Sequence, residues 1–183
     1  SEVEPKSIHI SFFDSSPLAP NYSFIYKEEL ENIEFGLLVL SKLTNGKIHL
    51  NHNSESIKYF KNDKYQNNEF SGPHPSGNVG VQIHHIDPVN KNDIVWSTTP
   101  AGLIQIGKLF SKGIYDASKI ISLVGSSVEK PMYYKCLSGF SVNDIISKNV
   151  SDENVRVISG NVLTGTSIGC LLYTSDAADD QAC

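Results

Sequence analysis

Apolar and polar residues alternate through Ser7-Ile8-His9-Ile10-Ser11-Phe12-Phe13, the period-two signature of a strand, and stop at the turn cluster Asp14-Ser15-Ser16-Pro17. From about Phe24 to Leu43 the period changes. Leu30, Ile33, Leu37 and Leu40 recur at helical spacing, Glu28 and Glu29 sit in the early turns where the helix dipole favours anions, and Asn45-Gly46 supplies a left-handed stop. Lys47-Ile48-His49-Leu50 reads as a second strand. Strand, helix and strand at this separation predict a right-handed parallel crossover.

Residues 51–68 are polar and predict a surface excursion with a short helical turn. Downstream, Ile94-Val95-Trp96-Ser97 predicts a strand. Thr99 is the expected N-cap and Pro100 the first residue of a helix whose face runs through Leu103, Ile106, Gly107 and Phe110 and ends at Gly113. The run Ile120-Ile121-Ser122-Leu123-Val124 predicts a strand buried on both faces, as in a parallel sheet. Met132 to Cys136 reads as extended, Val142 to Ser147 as a short helix capped by Ser141, and Val155 to Gly160 as a closing strand.

Strands alternating with helices predict an α/β fold: a Rossmann-like, mostly parallel sheet with helices on both faces over residues 1–130, then the start of a second small module over 131–169. From Cys170 the register changes abruptly, and 170–183 read as a non-native tail. Ser1 opens the chain and Met132 is its only methionine, so the expectation is a fragment cut on both sides.

The densest chemistry lies between Ser71 and His85, where two prolines, three glycines and three histidines share one stretch. Glycine permits close backbone approach and proline stiffens it, so the loop is expected to hold one shape. The candidate ligand- or partner-binding set is Gly72, His74, Pro75, Gly77, Gly80 and His84. A dinucleotide fingerprint needs G-x-G-x-x-G after a strand; here the middle glycine is missing, and tight turns explain the glycines better than a phosphate cradle. Metal binding is not expected, because adjacent His84 and His85 point apart and no HxH or HxxxH pair exists. His74 is expected to hydrogen-bond within its own loop, with one of His84 and His85 against the sheet and the other in solvent. No nucleophile stands out, and Cys136 reads as an inert packed thiol.

Composition narrows the classes. The 183 residues are 39% hydrophobic, enough for one sizeable core with an appendage, and the net charge is −5. Without a basic stripe, nucleic acid is not an expected partner. Three cysteines form no CxxC pair. No apolar run reaches the ~18 residues that cross a bilayer, and no signal peptide opens the chain.

Several segments together resemble one family: Gly72-Pro73-His74-Pro75-Ser76-Gly77-Asn78-Val79-Gly80, Ile83-His84, Asp87-Pro88-Val89-Asn90, Val95-Trp96-Ser97, Ile106 to Phe110, Ile121 to Gly125, and Val155 to Gly160 with Val162 to Gly165. The stretch Phe13 to Ala19 fits the same pattern. This is similar to the A subunit of bacterial sodium-translocating NADH:quinone reductases. The resemblance implies a peripheral subunit on the cytoplasmic face of the inner membrane, in a complex that uses NADH, flavins, iron–sulfur and ubiquinone and exports Na⁺. It implies a domain similar to the NADH-binding flavoprotein subunit of respiratory complex I. No cofactor is expected on this fragment, catalytic residues stay unassigned, and the partners are the sister subunits, with quinone a candidate ligand. Two other readings remain open: a nucleotide- or flavin-binding enzyme domain using the Gly72–Gly80 loop, and a structural docking module.

Overall fold

The computed structural model describes residues 4–54, 62–151 and 155–168, with the backbone of residues 181–182. The chain forms two compact units, one of residues 1–15 and 21–116 and one of residues 16–20 and 117–183.

In the first unit, β1 (Ser7–Ser11), β2 (Lys47–His52), β3 (Tyr65–Glu69) and β4 (Val95–Thr98) form one sheet in the order β3-β2-β1-β4. Every pairing is parallel, with Ile8 opposite Ile48 and Trp96. The even-numbered residues of the two inner strands, Ile8, Ile10, Ile48 and Leu50, are buried against α2 (Leu30–Leu40) and α4 (Pro100–Lys112) through Ile33, Leu37, Leu103 and Ile104. The odd-numbered residues Ser7, His9, His49 and Asn51 are buried too, and α3 (Val79–Ile86) bonds to Asn51 through Gln82. Helices therefore cover both faces of a parallel sheet, as the alternation of elements predicts.

The two helices on the apolar face meet backbone to backbone. A Cβ at Gly36 would lie 2.5 Å from the Leu103 carbonyl oxygen, and one at Gly107 only 1.9 Å from that of Asn32. Lys108 locks the same contact. Its Nζ, on a side chain 15% exposed, reaches Glu29 Oε1 at 2.7 Å and Asp116 Oδ2 at 2.9 Å. Burial lowers the pKa of this ammonium, but the two carboxylates outweigh that and raise it.

Four local expectations change. The helix expected from Phe24 to Leu43 is broken into α1 (Tyr22–Ile25) and α2, and the break leaves Glu29 at the N-cap of α2, from which it reaches Lys108. Asn45-Gly46 is not a left-handed stop, because the helix ends at Ser41. Gly46 is instead where a Cβ would meet the Lys6 carbonyl oxygen at 1.9 Å. The polar excursion over 51–68 is partly strand: Asn51 and His52 extend β2, residues 65–69 are β3, and 55–61 lie outside the described residues. At α4, Thr99 caps Gly102 N, Pro100 leads and Gly113 closes at φ 67°, as expected, but Phe110 is exposed.

The second unit is built on antiparallel pairs. β5 (Ser118–Leu123) pairs with β6 (Met132–Leu137), and β7 (Val157–Ser159) with β8 (Thr166–Ile168). The two-residue β9 (Gln181–Ala182) lies between β5 and β7. The apolar run at 120–124 is thus a strand, but it does not join the parallel sheet. An apolar run announces burial and leaves its partner open. Here β6 is the partner, and Ile120 is 39% exposed while Ile121, Ser122 and Leu123 are buried. Helix α5 (Asn143–Asn149) follows, with Ser141 Oγ 3.4 Å from Asn143 N.

Substituting Gly107 by Val places a side chain against backbone that cannot move aside, and should cost at least ~2 kcal/mol. Gly80→Ala in α3 meets nothing within 4 Å and should be neutral or stabilising by up to ~1 kcal/mol. Urea unfolding followed by fluorescence of the single tryptophan, Trp96, separates the two; equal midpoints would refute the packing argument.

Candidate functional site

The carboxyl ends of the four parallel strands share one edge of the first sheet, where α/β folds place their ligands. Two segments converge there: the turn after β1, carrying Asp14 and Ser15, and the Gly72–Gly80 loop after β3. Ser15 Oγ accepts from Gly77 N–H at 2.8 Å and lies 3.2 Å from His74 Nδ1. A Cβ at Gly77 would stand 2.3 Å from Ser15 N, so glycine is required there for close approach. Within the loop, Ser76 Oγ donates to the Gly72 carbonyl at 2.9 Å, Ser76 N to Pro73 and Asn78 N to Pro75.

His74 is therefore tied to Ser15, not to its own loop as expected; only the folded chain brings the two turns together. His84 and His85 are both exposed on the last turn of α3, so neither packs on the sheet. Of the candidate set, the structure joins His74 and Gly77 through Ser15 and links Gly72 to Ser76. Pro75 is exposed, Gly80 is in the first turn of α3, and His84 lies at that helix's far end.

The loop continues into a buried polar layer that the sequence reading does not single out. Gln82 Nε2 donates to the Ser76 carbonyl at 3.2 Å, and its Oε1 accepts from Asn51 Nδ2 at 3.0 Å. Asn68 Nδ2 donates to Asn51 Oδ1 at 3.0 Å and lies 3.3 Å from His49 Nδ1. The His49 ring stacks on His9 with centroids 4.3 Å apart and planes 11° from parallel. His9 Nε2 is 3.3 Å from Ser7 Oγ, which donates to Asp87 Oδ2 at 2.9 Å. Lys6 Nζ completes the chain at Asp87 Oδ1, 2.5 Å away.

The proton positions follow. The single hydroxyl proton of Ser7 goes to the Asp87 carboxylate, so His9 Nε2 must be the donor to Ser7 Oγ. His9 Nδ1 is then a bare acceptor, fully buried and without a partner among the described residues. Burial, with the neighbouring His49, lowers the His9 pKa to about 4 against the pull of Asp87. Burial lowers that of His49 as well, against the attraction of Asp87. For Asp87, burial pushes the carboxyl up, but hydrogen bonds from Lys6 and Ser7 together hold it below the usual carboxylate range.

His9, His49 and Asp87 each place a potential ligand atom within 4.8 Å of the others. Stacked, near-parallel rings direct their in-plane lone pairs side by side and not toward one point, and Asp87 already accepts from Ser7 and Lys6. The arrangement as it stands is two hydrogen-bonded segments, Lys6-Asp87-Ser7-His9 and His49-Asn68-Asn51-Gln82-Ser76, joined by the ring stack. Its sequence signal is a pair of histidines, each third in a short strand; His9 and His49 are partners once β1 pairs with β2.

Residues 1–115 match the family described as the NqrA second alpha/beta domain, and residues 120–169 match the NQRA C-terminal domain. Among curated relatives, the Na(+)-translocating NADH-quinone reductase A subunit of Yersinia pestis bv. Antiqua (strain Angola) is 37% identical over 163 residues, which cover 88% of this chain and 36% of the relative. The like-named protein of Neisseria meningitidis serogroup B is 39% identical over 165 residues, 90% of this chain and 37% of that one. That of Photorhabdus laumondii is 38% identical over 163 residues, 88% of this chain and 36% of its own. The chain spans about a third of the length of the relatives it matches.

Two outcomes test this geometry. His9 binds its proton near pH 6.5 when unfolded and near 4 when folded, so unfolding takes up a proton between these values. Stability should be complete above pH 6.5 and fall by on the order of 3 kcal/mol as the pH drops to about 4. Asp87 adds its own loss only at lower pH. His9→Gln should flatten the slope between pH 6.5 and 4 in urea titrations; an unchanged slope would remove His9 as its source. Ser15→Ala should raise the hydrogen-exchange rate of the Gly77 amide about tenfold, the worth of one hydrogen bond, and an unchanged rate would contradict the pinning of the loop.

Proposed function

This chain belongs to the NqrA family, and on that premise we propose that it works as part of a peripheral subunit of a sodium-translocating NADH-quinone reductase. Its role there is to lend binding surface to the quinone-reducing step, while NADH, flavin and iron–sulfur chemistry resides on sister subunits. The docking face is the cytoplasmic side of the membrane. Among the described residues no helix is long and apolar enough to cross a membrane, which suits attachment through partners. The order of the two matched domains over most of the chain supports the assignment to the complex.

One observation favours a binding surface over a nucleotide cradle. The Gly77 amide, central to the glycine-rich loop, is already taken by Ser15 Oγ, and the glycine is needed for contact with the β1 turn. A phosphate cradle needs such amides free and converging at a helix N-terminus. The residues that present this edge to a partner are Gly72, His74, Pro75 and the start of α3. His84 belongs to the surface only through the outer end of that helix.

The test is a full-length subunit carrying His74→Ala, co-expressed with its partner subunits. Assembly and NADH-driven reduction of a soluble electron acceptor should persist, while quinone-dependent turnover drops several-fold. Loss of assembly with normal turnover per assembled complex would favour a docking module. Saturable binding of NADH or FMN by the present chain, abolished by Gly77→Val, would favour a nucleotide-binding enzyme domain.

A further inference from the structure

The second unit carries a half-open cavity of about 520 Å³, within the ~300–1,000 Å³ range of small-molecule sites. Its walls are aliphatic, with Leu123 of β5, Val128, Ile146 of α5 and Ile158 of β7 among them. Polar groups are few. Ser126 and Ser127 follow Gly125, whose φ of 143° turns the chain after β5. Among the described residues neither serine hydroxyl has a hydrogen-bond partner.

The remaining polar group is Arg156, the only arginine in the chain. It is exposed, and among the described residues it has no hydrogen-bond or ion-pair partner. Among the described residues no aspartate or glutamate lines the cavity. An apolar hollow with a forked guanidinium on its lining suits a molecule with a greasy body and a single planar anionic end. A neutral ligand would leave the charge unused, and a cationic one would be repelled.

We propose that this cavity binds a small amphiphilic anion, an aliphatic chain ending in a carboxylate. The carboxylate pairs with Arg156 and with the hydroxyls of Ser126 and Ser127, and the chain lies along Leu123, Val128, Ile146 and Ile158. This site is independent of the Gly72–Gly80 surface.

Calorimetric titration of the 183-residue chain with sodium decanoate, below its micellar concentration, tests it against decan-1-ol and decylamine. Decanoate should bind saturably, decan-1-ol about tenfold more weakly, and decylamine not measurably. Shortening to octanoate should cost about tenfold, the worth of two buried methylenes. Arg156→Gln, at an exposed position, should lower decanoate affinity about tenfold and leave decan-1-ol unchanged, while Val162→Trp, on the cavity lining, should block both. Equal affinities for acid and alcohol, indifference to Arg156→Gln, or amide shift changes confined to residues 7–116 would overturn the proposal; so would no binding.

Discussion

The first unit depends on burying polar residues on one face of a parallel sheet without leaving them unpaired. Parallel sheets covered on both faces are ordinarily apolar on both, yet Ser7, His9, His49 and Asn51 point away from the aliphatic core and are still buried. Each buried polar atom without a partner costs ~1–3 kcal/mol, so α3 must supply Gln82 and the residue after it must supply Asp87. The result is two hydrogen-bonded segments, Lys6 through Asp87 and Ser7 to His9, and His49 through Asn68, Asn51 and Gln82 to Ser76, joined by the stack of the two histidine rings. Among the described residues, His9 Nδ1 is a buried atom of this layer without a partner. Neutral imidazoles suit this layer, because a charge on either ring would have to be desolvated beside the other.

This constraint also sets the edge of the sheet. Gln82 grips the Ser76 carbonyl while Ser15 grips the Gly77 amide, so the glycine-rich loop is held from both sides, in Ser15's case by a residue far from it in the chain. The opposite face works by another principle. There, helix backbones meet at Gly36 and Gly107, aliphatic side chains fill the space beneath, and Lys108 ties Glu29 to Asp116. A rigid two-faced scaffold that presents one pinned loop suits a binding surface, whereas the second unit offers a half-open apolar hollow whose described lining carries the cation Arg156.

Legibility follows the range of the interaction. Helix α4 is readable because Thr99, Pro100 and Gly113 act within a few residues of themselves. Strands β1 and β2 are readable from alternation, although that alternation does not show that their polar side forms a hydrogen-bonded layer under a helix. Strand β3, Tyr-Gln-Asn-Asn-Glu, carries almost no apolar signal and forms by pairing with β2. Helix α3 is masked by the glycines and prolines before it. The break between α1 and α2 answers to Lys108, a residue 79 positions away from Glu29. At the site, the loop is visible in composition, but the partners of His74 and Gly77 are not, and His84 joins them only by proximity in sequence.

By itself, the order of residues determined the alternation of strands and helices, the parallel α/β character of the larger part, the caps of α4 and the family likeness. These rest on local periodicity and on side chains acting on neighbouring backbone. Only tertiary structure decided that Ser15 would hold His74 and Gly77, that His9 would stack on His49, and that the apolar run at 120–124 would pair with β6. Those outcomes depend on strand register and on which face each helix covers, and both are settled by packing between segments distant in the chain.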